Sequence, residues 1–507
     1  MKELKAIFHP DGRLNQGVIF NDDPECFIKC LKPLPVLDYD FKSVPDGGHY
    51  LMDPKLSTAK ETIEQVKRAN TCIECGFCEV NCMSCGLTLS SRMRIAVQRE
   101  IRELEATGRD PQRAATLRKQ YKYYGDQTCA TDGLCSTSCP MKINTGELTH
   151  LIRQMDMLES PMGYKVGEFA ANHMAGIKSG LRVVLDVAHL GHVTLGPTLM
   201  TSVCRGMNKM GLPLWTTAMP KKKRQPKPSD LTQFIIEKSL PPSPSKERGQ
   251  WSASESPLPL EGSGEALKVV YFPGCINQTM GQPKDGKKKH DLVDEVIQLM
   301  AKAGYQTIFP KGMERMCCGQ IWESKGILDI ADRKSAELEK ALWEASEQGK
   351  YPVLCAQSPC LHRMKKVMHK MKLYEPAEFI MKYLVPRLDF HPIDRHIALH
   401  LTCSTRQMGV DKDMIALAKM CSRNVYLPEG VGCCGFAGDR GFTFPEMNKY
   451  ALRKLRPQIE ANHREVGYSN SRTCEIGLQS NTGIPYMSIV YLVNECTTAK
   501  AAQNTNL

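Results

Sequence analysis

The chain has 507 residues, a net charge of +12, 42% hydrophobic residues and 24% charged residues. A chain of that length forms about three to four domains, whose hydrophobic cores are large enough to be stable without disulfide bonds. The composition excludes a wholly disordered or collagen-like chain, and 7% aromatic residues argue against stacking platforms for nucleic acid. Twenty-two cysteines, with no apolar leader segment in the opening residues, predict a reducing compartment and thiolate ligands.

The first 58 residues are rich in Pro, Gly and Asp, and we expect an extended arm there. Residues 219–266 are dominated by Pro, Ser, Gly and Lys, which predicts a disordered linker. The basic run at 221–227 is either part of that solvated linker or a surface for anionic lipid or nucleic acid. Between the arm and the linker, helical periodicity predicts helices over 90–107, about 111–123, about 146–158 and 160–215.

After the linker, short apolar strands alternate with amphipathic helices, which indicates an α/β unit with a parallel sheet. This pattern occurs twice, so we predict two tandem domains, 267–393 and 394–507. The matching pairs are KVVYFPGC (268–275) with HIALHLTC (396–403), MCCGQ (316–320) with VGCCGF (431–436), and VLCAQSPC (353–360) with GYSNSRTC (467–474).

A first cysteine run, TCIECGFCEVNC, has the C-x₂-C-x₂-C-x₃-C spacing of bacterial ferredoxins. A tight loop of this kind lets three thiolates hold one cluster while the fourth reaches a neighbouring cluster. Zinc is the alternative, although zinc sites usually separate their C-x-x-C pairs by a dozen or more residues. The four cysteines are Cys72, Cys75, Cys78 and Cys82.

A second run, TCATDGLCSTSCP, follows the same frame but has Asp132 where a cysteine belongs. The fourth iron of the second cluster then faces Asp132 or solvent, and this cluster is either three-iron or bound by a non-cysteine ligand. Cys85 is either a spare buried thiol or a substitute ligand. The paired arrangement assigns Cys72, Cys75, Cys78 and Cys139 to one 4Fe-4S cluster, and Cys82, Cys129 and Cys135 to the other.

Each α/β repeat carries four cysteines at the ends of its strands, where open parallel sheets bind their ligands. Four thiolates suit one iron-sulfur cluster, and the glycine of each Cys-Cys-Gly tripeptide permits a turn that aims both thiols inward. Structural cysteine pairs are the alternative. The cysteines are Cys275, Cys317, Cys318 and Cys360 in the first repeat, and Cys403, Cys433, Cys434 and Cys474 in the second.

These repeats resemble the CCG domains of heterodisulfide reductase and of the iron-sulfur subunits of anaerobic glycerol-3-phosphate and glycolate oxidases. In that family a C-x-x-C ends the repeat, whereas Gln357 and Ser471 stand where its first cysteine would be. CIECGFCEVNC, CATDGLCSTSCPMKINTGELTH and SNSRTCEIGL together resemble the C-terminal iron-sulfur half of the fused FAD-linked D-lactate dehydrogenase family. KAIFHPDGRLNQGVIFND (5–22) is similar to the end of that family's flavin module.

The resemblance implies a multidomain oxidoreductase component. Residues 1–58 would be the tail of a flavin oxidase module. Residues 59–218 would form a mainly α-helical ferredoxin-like domain with two 4Fe-4S clusters, followed by the linker and the two tandem α/β cysteine-rich domains, each with an iron-sulfur cluster.

The resemblance also implies that FAD, on a partner flavoprotein or on an N-terminal half, oxidises a D-2-hydroxy acid such as D-lactate or D-2-hydroxyglutarate. This chain would relay the electrons to a quinone or protein acceptor, with no catalytic residue and no nucleic acid partner. We expect a cytoplasmic protein, free or peripherally bound at the inner face of the membrane. The alternatives are a disulfide redox subunit like that of heterodisulfide reductase, and the iron-sulfur subunit of a glycerol-3-phosphate or glycolate dehydrogenase.

Overall fold

The computed structural model describes residues 2–8, 10–11, 21–29, 35–39, 41, 57–209, 216, 218–223, 267–284 and 286–500. Most of the predicted arm at 1–58 and most of the predicted linker at 219–266 lie outside the described residues. The described chain forms a helical unit followed by two α/β units.

The helical unit holds both ferredoxin-like cysteine runs in short turns between longer helices. Two 3-10 turns, Phe77–Asn81 and Leu134–Ser136, and one π turn, Lys122–Gln127, connect these helices. The α-helices are Lys2–Phe8, Cys26–Lys29, Ser57–Ala69, Ser91–Thr107, Pro111–Tyr121, Thr145–Leu158, Pro161–Asn172 and Met174–Lys209. The last of them is interrupted at Gly196, where φ is 73°.

Local signals explain why the helix Ser91–Thr107 lies where the sequence predicts it. The Ser90 hydroxyl accepts a hydrogen bond from the Met93 N–H at its start, and Gly108 ends it in the left-handed region at φ 62°. Its apolar stripe is buried, and Ile95 packs with residues of the helices Ser57–Ala69 and Thr145–Leu158 in one core. This packing fixes the relative positions of the helices between which the cysteine-containing turns lie.

The first α/β unit contains a four-stranded parallel sheet with the strand order β2-β1-β3-β4. Its strands are β1 (Leu267–Phe272), β2 (Tyr305–Ile308), β3 (Val353–Cys355) and β4 (Leu373–Tyr374), and β5 (Leu388–Phe390) follows. Its α-helices are Gly274–Thr279, Leu292–Lys302, Gln320–Ser324, Leu328–Ala345, Ser358–Val367 and Pro376–Phe379. The final helix continues as a π turn, Ile380–Leu384, and a 3-10 turn, Val385–Arg387, and another 3-10 turn is Met313–Arg315.

The second α/β unit repeats this arrangement, with the strand order β7-β6-β8-β9 in a parallel sheet. Its strands are β6 (Ile393–Leu399), β7 (Ser422–Tyr426), β8 (Val466–Ser469) and β9 (Tyr486–Ser488), and β10 (Thr497–Ala499) is the last strand of the described chain. Its α-helices are Cys403–Gln407, Asp411–Cys421, Arg440–Thr443, Pro445–Ala451, Leu455–Ala461, Arg472–Thr482 and Ile489–Glu495.

The two α/β units share one hydrophobic core. Val296 and Leu299 of the first unit pack in the same buried cluster as Leu492 and Val493 of the second. Strand β10 pairs antiparallel with β5, and the Lys302 ammonium donates to the backbone carbonyls of Asn494 and Thr497 at 2.7 Å each. Strand β10 therefore attaches the second α/β unit to the first.

The beginning of the predicted linker is described and lies against the first α/β unit. The Lys223 N–H donates to the Thr279 carbonyl at 2.8 Å, and Lys222 forms an isolated antiparallel bridge with Met280. Among the described helices, none combines the length and apolar character needed to cross a membrane.

Candidate metal centres

The first predicted cluster site brings together thiols from both ferredoxin-like runs. Burial, and then the neighbouring Cys139 and Cys72 thiols, raise the pKa of Cys78 to about 11. Cys75 is exposed. The loop between these cysteines passes through the left-handed region at Glu74 and Gly76. The structure thus brings Cys72, Cys78 and Cys139 together, whereas their role with Cys75 as ligands of one cluster stays a prediction.

A buried arginine holds this loop in place. The Arg99 guanidinium donates to the Cys72 carbonyl at 3.1 Å and to the Asn70 carbonyl at 3.0 Å, and it pairs with the Glu74 carboxylate at 3.3 Å. The Arg99 guanidinium therefore supplies hydrogen-bond donors to loop carbonyls that regular secondary structure would otherwise have to satisfy.

The second predicted cluster site is a small cavity of about 20 Å³ in the helical unit. The thiols of Cys82, Cys129 and Cys135 line it together with Asp132, as the ferredoxin frame predicts. Burial raises the pKa of Cys135 to about 12. Cys85 lies outside this lining, and its carbonyl accepts a hydrogen bond from the Tyr450 hydroxyl at 3.0 Å. The cavity therefore favours Asp132 over Cys85 as the fourth group.

Arg94 is a residue of this cavity that the sequence reasoning missed. Its guanidinium is buried and donates to the Cys82 Sγ at 3.5 Å, the Ser84 Oγ at 2.9 Å and the Gly125 carbonyl at 2.6 Å. Burial raises the pKa of Cys82, but the Arg94 charge and the Ser84 hydroxyl offset this, and the pKa lies below its usual value. The only signal in the sequence is that Arg94 and Ile101 share one face of the helix.

Asp132 joins this cavity to the second α/β unit. Burial raises the pKa of its carboxyl group, and the adjacent Cys433 thiol and the Leu134 N–H partly offset the rise. The Asp132 carbonyl accepts a hydrogen bond from the Gln407 side-chain amide at 2.7 Å. One carboxylate oxygen, Oδ2, is buried without a hydrogen-bond partner within the described residues. Asp132 is therefore positioned between two groups of thiols.

The four cysteines of the first α/β unit form a continuous row of thiols. Cys275 contacts Cys317, and Cys318 contacts Cys360. The Cys275 thiol lowers the pKa of Cys317, but Cys318 and burial raise it more, to about 12. Beside this row, Gly274 has φ 76°, which favours glycine, and a Cβ there would lie only 3.1 Å from the Gln357 Cβ.

A lysine from the helical unit reaches this row of thiols. Lys178, on the helix Met174–Lys209, is buried and donates to the Gln278 side chain at 2.9 Å and the Met316 carbonyl at 3.0 Å. Burial lowers its pKa, and the nearby Cys275 and Cys317 thiols partly offset that effect. Sequence reasoning missed Lys178, because its helix is distant along the chain from both cysteines.

The second α/β unit repeats the row of thiols with a different neighbour. Cys403 contacts Cys433, and the Cys434 and Cys474 sulfurs are 3.1 Å apart. The group beside this row is the Asp132 carboxyl group, which also raises the pKa of Cys403 after the effects of Cys433 and burial. The two repeats therefore have similar rows of thiols with different neighbours. The neighbour is Lys178 in the first repeat and Asp132 in the second, and their ionised forms carry opposite charges.

Gln357 and Ser471, the two positions at which the sequence lacks the expected additional cysteines, meet at the interface of the two α/β units. The Gln357 side-chain amide donates to the Ser471 hydroxyl at 2.9 Å, and the Ser358 N–H donates to the Asn470 carbonyl at 3.1 Å. Gln357 and Ser471 are both buried. This place in the interface is therefore occupied by a neutral hydrogen-bonded pair.

A further buried group of potential ligands, Glu147, His150 and Glu323, lies between the helical unit and the first α/β unit. Lys366 already pairs with Glu147 at 3.2 Å and with Glu323 at 3.1 Å. Burial raises the pKa of Glu323, but Lys366 and Arg363 lower it more, to about 2. This group is an ion-pair network, because a lysine neutralises the two carboxylates that a metal ion would bind.

The donor chemistry of the four cysteine groups fits iron-sulfur clusters. Every cysteine in the described part of the chain is free of disulfide bonds. Sulfur ligands predominate in each group, and the ferredoxin-like cavity adds one carboxylate oxygen without a partner. Thiolate sets of this kind hold iron-sulfur clusters, and the role of the cavity residues as ligands stays a prediction.

Comparisons with known proteins support this assignment. The family described as "CCG: Cysteine-rich domain" matches residues 397–479, which contain all four cysteines of the second repeat. Lactate utilization protein A 1 from Bacillus mycoides (strain KBAB4) is 23% identical over 232 residues, or 42% of this chain and 89% of that protein. The chain therefore carries a CCG domain and is similar to a lactate utilization protein.

Among solved structures, the aspartate racemase of Picrophilus torridus is similar with a TM-score of 0.24 and 10% identity. The match covers 46% of this chain and 91% of that chain. A TM-score of this size does not establish a common fold.

Proposed function

We propose that this chain is the iron-sulfur electron-transfer component of a flavin-linked D-2-hydroxy acid dehydrogenase, with D-lactate as the favoured substrate and D-2-hydroxyglutarate as the alternative. FAD would belong to a partner flavoprotein or to an N-terminal half. The acceptor would be a quinone or a redox protein. The chain itself would carry electrons and would not bind the hydroxy acid.

The observation that carries the proposal is the continuity of the four cysteine groups. Cys78 is close enough to Cys82 for that thiol to raise its pKa, after the larger effects of burial and its nearer cysteines. Asp132 then contacts Cys433 of the second α/β unit. Gln357 and Ser471 lie three residues before the predicted ligands Cys360 and Cys474. The hydrogen bond between their side chains connects the two repeats. In the proposal, these contacts connect the four groups into one path for electrons.

In this proposal, iron-sulfur clusters supply reversible one-electron transfer when bound. The protein surrounds them with buried side chains and fixes the charge beside each group, through Arg94 at the second ferredoxin-like site, Asp132 between sites and Lys178 at the first repeat. The ligands would be Cys72, Cys75, Cys78 and Cys139; Cys82, Cys129, Cys135 and Asp132; Cys275, Cys317, Cys318 and Cys360; and Cys403, Cys433, Cys434 and Cys474.

The alternative of a disulfide redox subunit is less well supported. Its chemistry in the related family is associated with the C-x-x-C cysteines, and Gln357 and Ser471 replace them here with a buried hydrogen bond. The similarity to a lactate utilization protein favours hydroxy acid oxidation instead.

The test is to purify the full chain anaerobically together with the flavoprotein that accompanies it in native cells. We expect about sixteen iron atoms per chain if each of the four groups holds one cubane. D-lactate should reduce the iron-sulfur signal, followed by EPR, only when the flavoprotein is present, and L-lactate serves as the stereochemical control. Zinc in place of iron, or a fully reduced flavin beside unreduced iron-sulfur centres, would contradict the proposal.

A further inference from the structure

Two cysteines outside the four cysteine groups form a contact pair in the second α/β unit. Cys421 is the last residue of the helix Asp411–Cys421, and Cys496 directly follows the helix Ile489–Glu495. The Cys496 thiol donates to the Cys421 carbonyl at 3.4 Å, and the two thiol groups contact each other. Both side chains are buried in the core that the two α/β units share.

This pair lies at the opposite edge of the sheet from the cysteine group of the second repeat. Cys421 directly precedes β7, whose first residue pairs with Ile393 at the start of β6, and the Cys496 thiol lies against the Ile393 backbone. Cys403 and Cys474, by contrast, follow the ends of β6 and β8. Because the strands are parallel, their starts and their ends lie at opposite edges of the sheet. The pair is therefore separate from the predicted ligands of that group.

We propose that Cys421 and Cys496 are a redox modification site, at which a small-molecule disulfide such as glutathione disulfide converts the two thiols into an intramolecular disulfide. The Cys496 thiolate attacks one sulfur of the reagent and expels a thiolate, which takes up a proton. The Cys421 thiol then loses its proton and attacks the Cys496 sulfur of the mixed disulfide, which releases the second reagent thiol. The two cysteine sulfurs are thereby oxidised by two electrons, and the reagent disulfide is reduced to two thiols.

Cys496 is the attacking thiol because it is the more acidic of the two and the more easily reached. The Cys421 thiol lowers the pKa of Cys496 by more than burial raises it, whereas Cys496 and burial both raise the pKa of Cys421. Cys496 also directly precedes β10, whose Thr498 and Ala499 are exposed. A three-residue strand in a two-stranded sheet separates from its partner more readily than the strands of a core do, so the reagent reaches Cys496 through local opening of β10.

The disulfide would tie the C-terminal segment to the helix Asp411–Cys421. That segment joins the two α/β units, because β10 pairs with β5 and the Cys496 carbonyl accepts a hydrogen bond from the His391 N–H at 2.7 Å. A cross-link between segments far apart along the chain restricts the unfolded state, so the oxidised protein should unfold at a higher temperature.

In a reducing compartment the bond forms only when the thiol pool becomes oxidised, so the pair would respond to the state of that pool. The inference goes beyond the proposed function, because this thiol-disulfide exchange requires neither a hydroxy acid nor an iron-sulfur cluster.

The test is to incubate the full iron-loaded chain anaerobically with either reduced glutathione or glutathione disulfide. Free thiols are blocked with iodoacetamide as the protein is denatured, and the disulfides are mapped by mass spectrometry. Digestion with trypsin and a glutamyl endopeptidase separates Cys474 from Cys496, since the second enzyme cuts after Glu475. We expect a linked Cys421–Cys496 peptide only after glutathione disulfide, together with an apparent melting temperature raised by roughly 5–10 °C.

Matched variants separate this disulfide from other effects of the oxidant. Cys421→Ser should lose both the linked peptide and the rise in melting temperature, and its Cys496 should carry glutathione as a mixed disulfide. Cys204→Ser removes a buried cysteine of the helix Met174–Lys209 and is the control, in which the linked peptide and the rise should both be retained. The map of the unmodified chain decides the inference by itself if Cys421→Ser does not fold.

Three results would overturn the inference. The first is that Cys421 and Cys496 are both blocked by iodoacetamide after treatment with glutathione disulfide. The second is that they are found in disulfides with other cysteines of the chain. The third is an equal rise in melting temperature in Cys421→Ser, which would place the effect of the oxidant elsewhere. None of these measurements depends on a flavoprotein or a hydroxy acid, so they fail or succeed independently of the proposed function.

Discussion

The Asp132 carboxyl group lies against the Cys433 thiol, although one belongs to the helical unit and the other to the second α/β unit. The Gln407 side chain fixes the Asp132 backbone from the same α/β unit, at 2.7 Å. The residue that interrupts the ferredoxin frame is therefore also the residue that joins two of the cysteine groups.

Replacing Asp132 by cysteine should supply a fourth thiolate to the cavity of Cys82, Cys129 and Cys135. We expect Asp132→Cys to retain more iron than the unmodified chain after mild oxidation, because thiolate is the softer ligand for iron. Iron per chain and the EPR line shape measure this. Asp132→Asn, which removes the charge without adding a thiolate, is the control. Identical iron contents and spectra in all three proteins would mean that Asp132 is not at a ligand position.

The Cys-Cys-Gly cysteines should each be required for one cluster. We expect Cys317→Ser and Cys433→Ser, made separately, to lose about four iron atoms per chain, since each removes a thiolate from one group. Acceptor reduction should stop while the flavoprotein is still reduced by substrate. Cys421→Ser is the control, because Cys421 is buried in the second α/β unit, as Cys433 is, but its thiol contacts Cys496 instead of the cysteine group. Full iron content in both test variants would identify the pairs as structural.

Arg94 should set the reduction potential of the second ferredoxin-like site. Its charge would stabilise an added electron, so Arg94→Met should lower the midpoint potential by roughly 60 mV, equivalent to a tenfold change for a one-electron couple. Arg94→Lys retains the positive charge and should shift the midpoint potential less than Arg94→Met does. Arg102→Met, on the same helix but hydrogen-bonded to the Asp38 carbonyl, is the control. EPR-monitored redox titration measures the shift, and equal potentials for the Met and Lys variants would exclude a charge effect.

Glu375 should make stability depend on pH. Burial raises the pKa of its carboxyl group from 4.5 to about 8, so the folded state binds the proton more tightly than the unfolded state. The stabilising contribution of the protonated form is fully present below pH 4.5 and is lost as the pH rises toward 8. Glu375→Gln should therefore have a higher apparent melting temperature than the unmodified chain near pH 8, by a few degrees.

That variant keeps an acceptor for the Ala377 N–H, which now donates to the Glu375 carboxylate at 2.7 Å. The other carboxylate oxygen of Glu375 accepts from the Asn470 side-chain amide, so the glutamine amide can donate there once the Asn470 amide turns over and presents its Oδ1, which is buried without a partner within the described residues. Anaerobic thermal unfolding at several pH values gives the comparison, with the exposed Glu429→Gln as control. A difference between the Glu375→Gln variant and the unmodified chain that does not grow with pH would show that Glu375 is not the titrating group.

Much of the fold follows from short-range patterns in the sequence. The alternation of strands and helices and the repeated Cys-Cys-Gly tripeptides predict two parallel sheets, and the structure has both with the same strand order. The predicted repeats include neither Ser422–Tyr426 nor the fourth strand of each sheet, and Leu373–Tyr374 and Tyr486–Ser488 are too short to show alternation. The pairing of β5 with β10 has no local signal at all, since it joins segments that are far apart along the chain.

The same distinction applies to the candidate sites. Cysteine spacing predicts that Cys82, Cys129 and Cys135 meet, and they line one cavity, while their role as ligands remains a prediction. The charged neighbours Arg94 and Lys178 could not be predicted, because a buried arginine or lysine is recognised only by the packing around it. Spacing within a loop is local information, whereas the charge beside a thiol depends on contacts between distant segments.

A duplicated domain begins with two equivalent sites, and a row of equivalent carriers has no preferred direction. Here the helical unit breaks that equivalence, since it contributes Lys178 to the first copy and Asp132 to the second. An electron would be more stable beside the ammonium group than beside an ionised carboxylate. In the proposed electron path, the polarity would therefore be set outside the duplicated domains, and each copy could keep its cysteines unchanged while Lys178 or Asp132 determined whether it receives electrons or delivers them.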